Sequence, residues 1–284
     1  MGKITISDED FQKFREFFYR KVGIQFEATK RYFVDKRLIE RIEATGAKDF
    51  REYFMMLRFE ASGLELQTLV NLMTVNETYF FREEYQFQCL VNSILGEVTK
   101  NKKDKKDKKP IRIWSIPSSS GEEPYSIVIY LLEHWPDIEH WDVEIISSDI
   151  DSEIIKSARR GLYSARSVQY LPVHLLNKYF KPVAGGSYQI SEDLRSVVEF
   201  TCVNLMDAED MRNYRKVDVI FCRNLLIYFD DQSRRQAAET FFDALNPGGF
   251  VCLGHSESMS RISSLFRVRK FPEAIVYQKP GEYL

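Results

Sequence analysis

The chain has 284 residues, of which 44% are hydrophobic and 14% aromatic, and its formal net charge is -2. This length is sufficient for two domains with buried cores, and the composition excludes a mainly disordered protein. The near-neutral charge excludes a strong overall attraction to nucleic acid, so any basic binding surface has to be local.

The cysteines and the N-terminal sequence are informative about metal sites and location. The four cysteines are far apart and show no CxxC or Cys/His spacing, which predicts reduced core thiols and no metal site. The start, MGKITISDEDFQKF, contains no apolar signal region. No run reaches the roughly 18 apolar residues that a bilayer-spanning helix needs. We therefore expect a cytoplasmic protein that does not insert into membranes.

Residues 1–75 are predicted to form an all-α domain. Ser7 fits the N-cap of the first helix, with Asp10 three residues later in capping-box position, and Gly23 is a suitable helix end. No alternating strand pattern interrupts the helical periodicity, so a small helical bundle is expected. The expected helical segments are 7–23, 29–46, 48–61 and 63–75.

Residues 76–109 are predicted to link the two domains through a helix and a lysine-rich loop. The loop, KNKKDKKDKK (100–109), holds seven lysines and two aspartates and nothing apolar. Such a run is typical of a solvated segment. A contact with nucleic acid or lipid is the alternative.

Residues 110–284 are predicted to form an α/β domain, because strand-like runs alternate with helices of ten or more residues. The expected fold is a doubly wound, mostly parallel sheet with a short antiparallel edge strand at 274–279. Between 162 and 203, the segments GGSYQIS and VVEFTCV predict a small inserted antiparallel β subdomain. The predicted parallel strands are IRIWSI (111–116), VEIISS (143–148), VDVIFC (217–222) and FVCLG (250–254).

Polar residues follow three of the predicted strands, at the edge where doubly wound sheets bind ligands. PSSSGEEP follows the first strand, Asp149 the second, and Arg223-Asn224 with Leu225 and Tyr228 the third. Acids at the first helix start disfavour a phosphate cradle, and no GxGxxG or Walker A loop is present. Asp149 could accept both hydroxyls of a ribose. This set favours a nucleoside with a cationic tail.

Each of these residues also has a purely structural explanation. Paired acids at a helix start are stabilised by the helix dipole alone. Asp149 or Asp151 could be the N-cap of the next helix, and Tyr228 could be a core or rim aromatic. Only the joint occurrence on successive strand ends favours a binding site.

Five segments in order resemble the motifs of the CheR family of chemotaxis-receptor glutamate methyltransferases. The resemblance covers almost the whole chain, including the helical N-terminal domain and the β insertion. One departure is Ile116-Pro117, where the family usually has glycine or another small residue, so the loop beside the methionine moiety is expected to differ in shape. The segments are NETYFFRE (76–83), SSSGEEPYSI (118–127), SSDID (147–151), FCRNLLIYFD (221–230) and LNPGGFVCLGHSES (245–258).

The resemblance implies S-adenosylmethionine (SAM) as cofactor, with S-adenosylhomocysteine as product. It implies that Glu123, or alternatively Glu122, holds the amino-acid end of the cofactor, and that Asp149 holds the ribose. It places Arg82 and Tyr228 beside the transferred methyl group as catalytic residues. The other cofactor-binding residues that it implies, together with Arg82, are Asn76, Thr78, Asn204, Leu205, Asn224 and Leu225.

The implied acceptor is a glutamate on the cytoplasmic helical region of a chemotaxis receptor. The basic helix at 29–46 would dock on that region, and a receptor C-terminal peptide could add a strand to the β subdomain near 186–203. No nucleic-acid partner is expected, and the protein is expected to be monomeric. The alternatives are methyl transfer to another protein or a small molecule, and a non-catalytic cofactor-binding signalling module.

Overall fold

The computed structural model describes residues 4–104 and 109–281. Residues 105–108, at the centre of the lysine-rich loop, lie outside the described residues. The expected role of that loop therefore stays a prediction.

The N-terminal part is the predicted helical bundle. The capping box of the first helix is confirmed: the Ser7 hydroxyl accepts from the Asp10 backbone N–H at 3.1 Å. Gly23 ends this helix in the left-handed conformation, with φ of +74°. The second helix begins at Arg31, after a 3-10 turn at Ala28–Lys30. The four helices are α1 (Asp8–Val22), α2 (Arg31–Thr45), α3 (Phe50–Phe59) and α4 (Leu64–Met73).

The C-terminal part contains a seven-stranded sheet with the order β6-β2-β1-β7-β8-β10-β9. The first five strands in this order are parallel, whereas β10 and β9 are antiparallel to their neighbours. The predicted doubly wound, mostly parallel fold is thereby confirmed. The strands are β1 (Ile111–Ser115), β2 (Val143–Asp149), β6 (Val198–Cys202), β7 (Val217–Cys222), β8 (Leu245–Leu253), β9 (Arg267–Lys270) and β10 (Ile275–Gln278).

A second, three-stranded antiparallel sheet is inserted between β2 and β6, with the order β3-β5-β4. This confirms the inserted subdomain of the predicted fold class. The three strands are β3 (Leu162–Ser164), β4 (Phe180–Val183) and β5 (Ser187–Ile190).

Two strand predictions are wrong. VVEFTCV is not part of the antiparallel insertion, because β6 pairs in parallel with β2 and places Val198 and Phe200 in the core of the main sheet. The strand at 275–278 is antiparallel as expected but is not at the edge, because β9 lies outside it.

Helices cover both faces of the main sheet and divide its core into two apolar clusters, while the helical bundle has a third. A one-turn π-helix at Leu90–Ile94 continues α5 into α6. The helices are α5 (Tyr85–Cys89), α6 (Leu95–Asp104), α7 (Glu122–His134), α8 (Ser152–Arg160), α9 (Ala165–Val168), α10 (Val173–Tyr179), α11 (Glu192–Ser196) and α12 (Asp231–Ala244).

The helical bundle is joined to the α/β part by specific polar contacts. The Tyr19 hydroxyl donates to the Asp230 carboxylate at 2.9 Å, and the Ser233 hydroxyl donates to the Gly23 carbonyl at 3.0 Å. A Cβ at Gly23 would lie 2.6 Å from the Met206 side chain, and the φ of +74° would strain any other residue, so glycine is favoured at this contact. Among the described residues, no helix is long and apolar enough to cross a membrane.

Candidate functional site

A cavity of about 520 Å³ lies at the carboxyl ends of β1, β2 and β7, beneath the helical bundle. Its volume is within the range of small-molecule sites, about 300–1,000 Å³. Every residue that the resemblance implied for cofactor binding or catalysis, apart from the alternative Glu122, lines this cavity. They are Asn76, Thr78, Arg82, Glu123, Asp149, Asn204, Leu205, Asn224, Leu225 and Tyr228.

Glu123 is placed by the tight turn between β1 and α7. It lies in the first turn of α7 and is buried, while its carboxylate accepts from the Ser115 hydroxyl at 2.8 Å and from the Arg223 guanidinium at 2.9 Å. Burial raises the pKa of Glu123, and Arg223 opposes that shift. Glu122, the alternative, is also buried but does not line the cavity; its carboxylate accepts from the Ser120 hydroxyl at 2.6 Å.

Arg223 follows β7 and contacts Glu123 in the helix that follows β1, so it links the ends of these two strands. The sequence did not reveal this role. Its guanidinium is buried and contacts carboxylates of both Glu123, at 2.9 Å, and Glu83, at 3.4 Å. It also donates to the Arg82 carbonyl and lies over the Phe87 ring. An arginine directly after the fully buried strand β7 is the sequence signal that could have indicated this ion pair.

Asp149 is buried at the end of β2, and its carboxylate accepts backbone N–H groups of Ser119 and Asp151. Burial raises its pKa to about 6. Asp151, not Asp149, is the N-cap of α8, with bonds of 3.0 Å from the N–H groups of Glu153 and Ile154. Of these two aspartates, Asp149 is therefore the one that lines the cavity and is not used to cap the helix.

The segment between the helical bundle and the sheet forms another wall of the cavity. The Asn76 side-chain amide donates to the Asp151 carboxylate at 2.9 Å, which fixes the start of this segment to α8. Arg82 donates to the Glu77 carbonyl at 2.9 Å, and its guanidinium carbon is 5.9 Å from the centre of the Tyr79 ring. Arg82 is thus held near the cavity by its own segment.

Asn204 and Leu205 follow β6 and close the side of the cavity next to the helical bundle. The Asn204 side-chain amide donates to the Lys21 carbonyl at 2.6 Å, and its backbone N–H donates to the Asp210 carboxylate at 2.8 Å. Residues of α1 and of the connection to α2, among them Val22 and Phe26, complete this wall.

The turn after β7 contributes Asn224, Leu225 and Tyr228. Tyr228 is 40% exposed at the cavity wall, and partial burial raises its pKa although nearby Arg82 opposes the shift. Glu257, which sequence reasoning missed, holds this turn by accepting the backbone N–H groups of Asn224 and Leu226, each at 2.8 Å. Glu257 stands in the GHSES segment of the last motif, but no role was predicted for it.

The residues of the cavity fit a nucleoside with a charged amino-acid tail better than a nucleotide. Gly121, which precedes α7, has no lysine beside it, and the helix starts with two carboxylates that would repel a phosphate. Carboxylates and cations are mixed on the cavity wall, as a ligand carrying both charges requires. The wall contains four carboxylates, of Glu27, Glu77, Glu123 and Asp149, and three cations, of Lys30, Arg82 and Arg223.

Comparison with known proteins decides the family. Residues 9–74 match the family described as "CheR methyltransferase, all-alpha domain", and residues 76–275 match "CheR methyltransferase, SAM binding domain". The chain belongs to the CheR methyltransferase family. The cofactor of this CheR protein is therefore SAM, as the resemblance implied.

Curated relatives of this CheR protein extend over nearly its full length. "Chemotaxis protein methyltransferase 2" of Vibrio cholerae is 56% identical over 280 residues, covering 99% of this chain and 96% of that relative. "Chemotaxis protein methyltransferase" of Borreliella burgdorferi is 34% identical, covering 90% of each chain. The relative of the same name from Salmonella typhimurium is 33% identical, covering 94% of this chain and 90% of its own.

Proposed function

We propose that this CheR protein transfers the methyl group of SAM to glutamate side chains of chemotaxis receptors, forming methyl esters. The observation that carries the proposal is that residues from four of the five separated sequence motifs line one cavity at the strand ends. The names of the relatives support chemotaxis as the setting. A cytoplasmic location and a monomeric state are parts of the same proposal.

Within the cavity we assign the cofactor contacts by position. The buried Asp149 carboxylate is suited to the ribose hydroxyls, and Glu123, with Arg223 beside it, to the amino-acid end. The wall next to the helical bundle is assigned to adenine, and the turn after β7 to the methionine portion. The residues for these two positions are Asn204 with Leu205, and Asn224 with Leu225; Asn76 and Thr78 reach the cofactor from the segment between the domains.

When bound, SAM supplies an electrophilic methyl group on a sulfonium. A glutamate carboxylate is already ionised at neutral pH, so the enzyme needs no general base. The protein then has to position the reactants and exclude water. These effects can lower an activation barrier by about 7–11 kcal/mol. In this proposal Arg82 steers the incoming carboxylate by charge, and Tyr228 shapes the methyl channel or donates to the carboxylate.

A methyl-transfer assay with receptor cytoplasmic fragments tests the function. The expected product is a base-labile ester, which releases methanol in alkali. Transfer to other proteins or small molecules, but not to receptor fragments, would favour the alternative acceptor class. Cofactor binding without transfer to any acceptor would favour the non-catalytic module.

The raised pKa of Asp149 predicts how cofactor affinity depends on pH. Its folded-state pKa, about 6, lies above the ordinary 3.8, so protein stability falls as pH rises through this window. Ribose binding needs the ionised acceptor, so the dissociation constant of S-adenosylhomocysteine should rise by up to about tenfold per pH unit below 6. Calorimetry across pH 5–8 measures this dependence.

The Asp149→Asn variant is the control for this pH effect. It should bind the product more weakly at neutral pH and lose the part of the pH dependence that Asp149 causes. Glu123 and Glu257 also have raised pKa values, so some dependence can remain. An unchanged pH profile in Asp149→Asn would remove Asp149 from the ribose site.

Two arginines of α2 are occupied by contacts within the helical bundle and are not available for receptor docking. Arg41 forms two hydrogen bonds with Glu65, and Arg37 bonds to the Leu72 carbonyl, so both serve the packing of the helical bundle. Receptor docking through α2 therefore has to use other residues of this helix. Tyr32, 82% exposed, and Lys36, one turn later, form the outward face of the first half of α2.

Charge reversal at Lys36 tests docking without disturbing the bundle. If α2 contacts an acidic receptor surface, Lys36→Glu should raise KM for the receptor fragment about two- to fivefold, since exposed ion pairs contribute little individually. The turnover number and product affinity should not change. Lys156→Glu on α8, equally a reversal of an exposed lysine, is the matched control. Equal KM values for the wild type and Lys36→Glu would contradict docking through this face.

The small sheet limits where a receptor peptide could add a strand. The region first expected, 186–203, contains the central strand β5 and the main-sheet strand β6. The outer strands of the small sheet are β3 and β4. If tethering occurs, we propose that the peptide pairs with one of these two strands.

A further inference from the structure

The Glu257 carboxylate is the centre of a compact hydrogen-bond arrangement behind the cavity wall. One oxygen accepts the backbone N–H groups of Asn224, at 2.8 Å, and Gly254, at 2.9 Å, and the other accepts that of Leu226, at 2.8 Å. Glu257 does not itself line the cavity. It therefore joins the segment after β8 to the turn after β7 from outside the cavity lining.

The turn that Glu257 holds has an unusual backbone. Asn224 has φ of +60°, in the left-handed region that non-glycine residues seldom adopt. Such conformations persist only where the surroundings fix them. The bonds to Glu257 on both sides of Leu225 supply this constraint, and the turn ends in a β-bridge between Phe229 and Ile24.

Gly254 leaves just enough space for this arrangement. A Cβ at this position would lie 2.8 Å from the Glu257 carboxylate and 3.0 Å from the Asn224 backbone nitrogen. The chain thus approaches both partners more closely than any side chain would allow. Glycine and glutamate, three residues apart, together form the support of the turn.

We infer that Glu257 is a positioning residue for methyl transfer, which acts by fixing the turn that places Tyr228 at the reacting end of the cavity. This inference rests on the proposed function. A misplacement of a reacting group by about 1 Å can reduce a rate about 100-fold. Glutamine at 257 would keep the volume but would offer one acceptor oxygen, and its amide group would face a backbone donor.

A double-mutant cycle with Tyr228 tests the inference. Glu257→Gln should lower kcat about 10- to 100-fold, with a smaller change in the dissociation constant of S-adenosylhomocysteine. If Glu257 acts through Tyr228, the variant with both Glu257→Gln and Tyr228→Phe should turn over no more slowly than the slower single variant. A fall in the kcat of the double variant equal to the product of the two single falls would overturn the inference.

Two further variants separate positioning from a general loss of structure. Gly254→Ala disturbs the same support while keeping the carboxylate and should reproduce the fall in kcat; a wild-type kcat would contradict the inference. Glu60→Gln is the matched control, because the Glu60 carboxylate holds the Glu65 backbone N–H at 2.8 Å in the helical bundle, and it should leave kcat unchanged. Absence of transfer by the wild type would refute the proposed function, whereas an active wild type with an equally active Glu257→Gln variant would refute only the positioning role.

Discussion

Replacing Arg223 by methionine is expected to lower the free energy of unfolding by about 3–5 kcal/mol, since removal of one partner leaves a buried charge uncompensated. The guanidinium is buried between the carboxylates of Glu123 and Glu83. Methionine fills much of the aliphatic volume of arginine, so the loss should come mainly from electrostatics. Urea unfolding at pH 7.5 measures it.

The dependence of this loss on pH follows from the pKa of Glu123. Burial raises that pKa in the wild type, and removal of Arg223 should raise it further. A carboxyl group whose folded pKa lies above its unfolded value destabilises the protein at pH values above the unfolded pKa. This penalty disappears as pH falls to that value. The difference between wild type and variant should therefore be largest near neutral pH and smaller near pH 4.5.

A second substitution distinguishes charge from packing. Adding Glu123→Gln to Arg223→Met removes the stranded carboxylate and should restore part of the lost stability. Arg212→Met is the control, because Arg212 pairs with Glu209 on the surface, where ion pairs contribute little. No recovery in the variant with both substitutions, together with a loss that is independent of pH, would show that the destabilisation arises from packing.

Features with a local cause were predictable from the sequence. The capping box of Ser7 and Asp10 depends on residues three apart, and Gly23 ends α1 because glycine adopts positive φ without strain. The cavity was predictable for a related reason. Parallel strands bring their carboxyl ends to one edge of the sheet, so polar residues after separate apolar runs had to meet.

Strand partners were less predictable, because alternation of apolar residues does not identify the sheet that a strand joins. VVEFTCV has the same period whether it extends the small antiparallel sheet or pairs in parallel with β2. RVRK, which is the whole of β9, carries three basic residues and gives almost no strand signal. Charged side chains of this kind are typical of edge strands, where they discourage pairing with other chains.

The supporting charges of the site were missed because their partners are far away in sequence. Glu123 and Arg223 are 100 residues apart, and Glu257 is 33 residues from the backbone N–H of Asn224. The same limit applies to the basic residues of α2. Arg41 belongs to the basic helix expected at 29–46, but its counter-charge, Glu65, stands 24 residues later on α4.

Substitution of Arg82 by alanine, or of Tyr228 by phenylalanine, is expected to lower kcat about 10- to 150-fold, the equivalent of one hydrogen bond to a charged group worth about 1.5–3 kcal/mol. Both side chains line the cavity, and Arg82 is close enough to oppose the rise in the pKa of Tyr228. Single-turnover methylation of a receptor fragment measures the chemical step apart from product release.

Cofactor affinity decides whether these two residues act on the methyl transfer or on the binding of SAM. Calorimetry with S-adenosylhomocysteine should give dissociation constants within about threefold of the wild type, less than 0.7 kcal/mol. Tyr179→Phe and Arg212→Ala, outside the cavity, are matched controls and should leave both kcat and affinity unchanged. Loss of affinity equal to the loss of kcat/KM would mean that the two side chains mainly hold the cofactor. An interaction that forms only with the reacting carboxylate in place should instead lower kcat and leave product binding intact, because the product complex lacks that carboxylate.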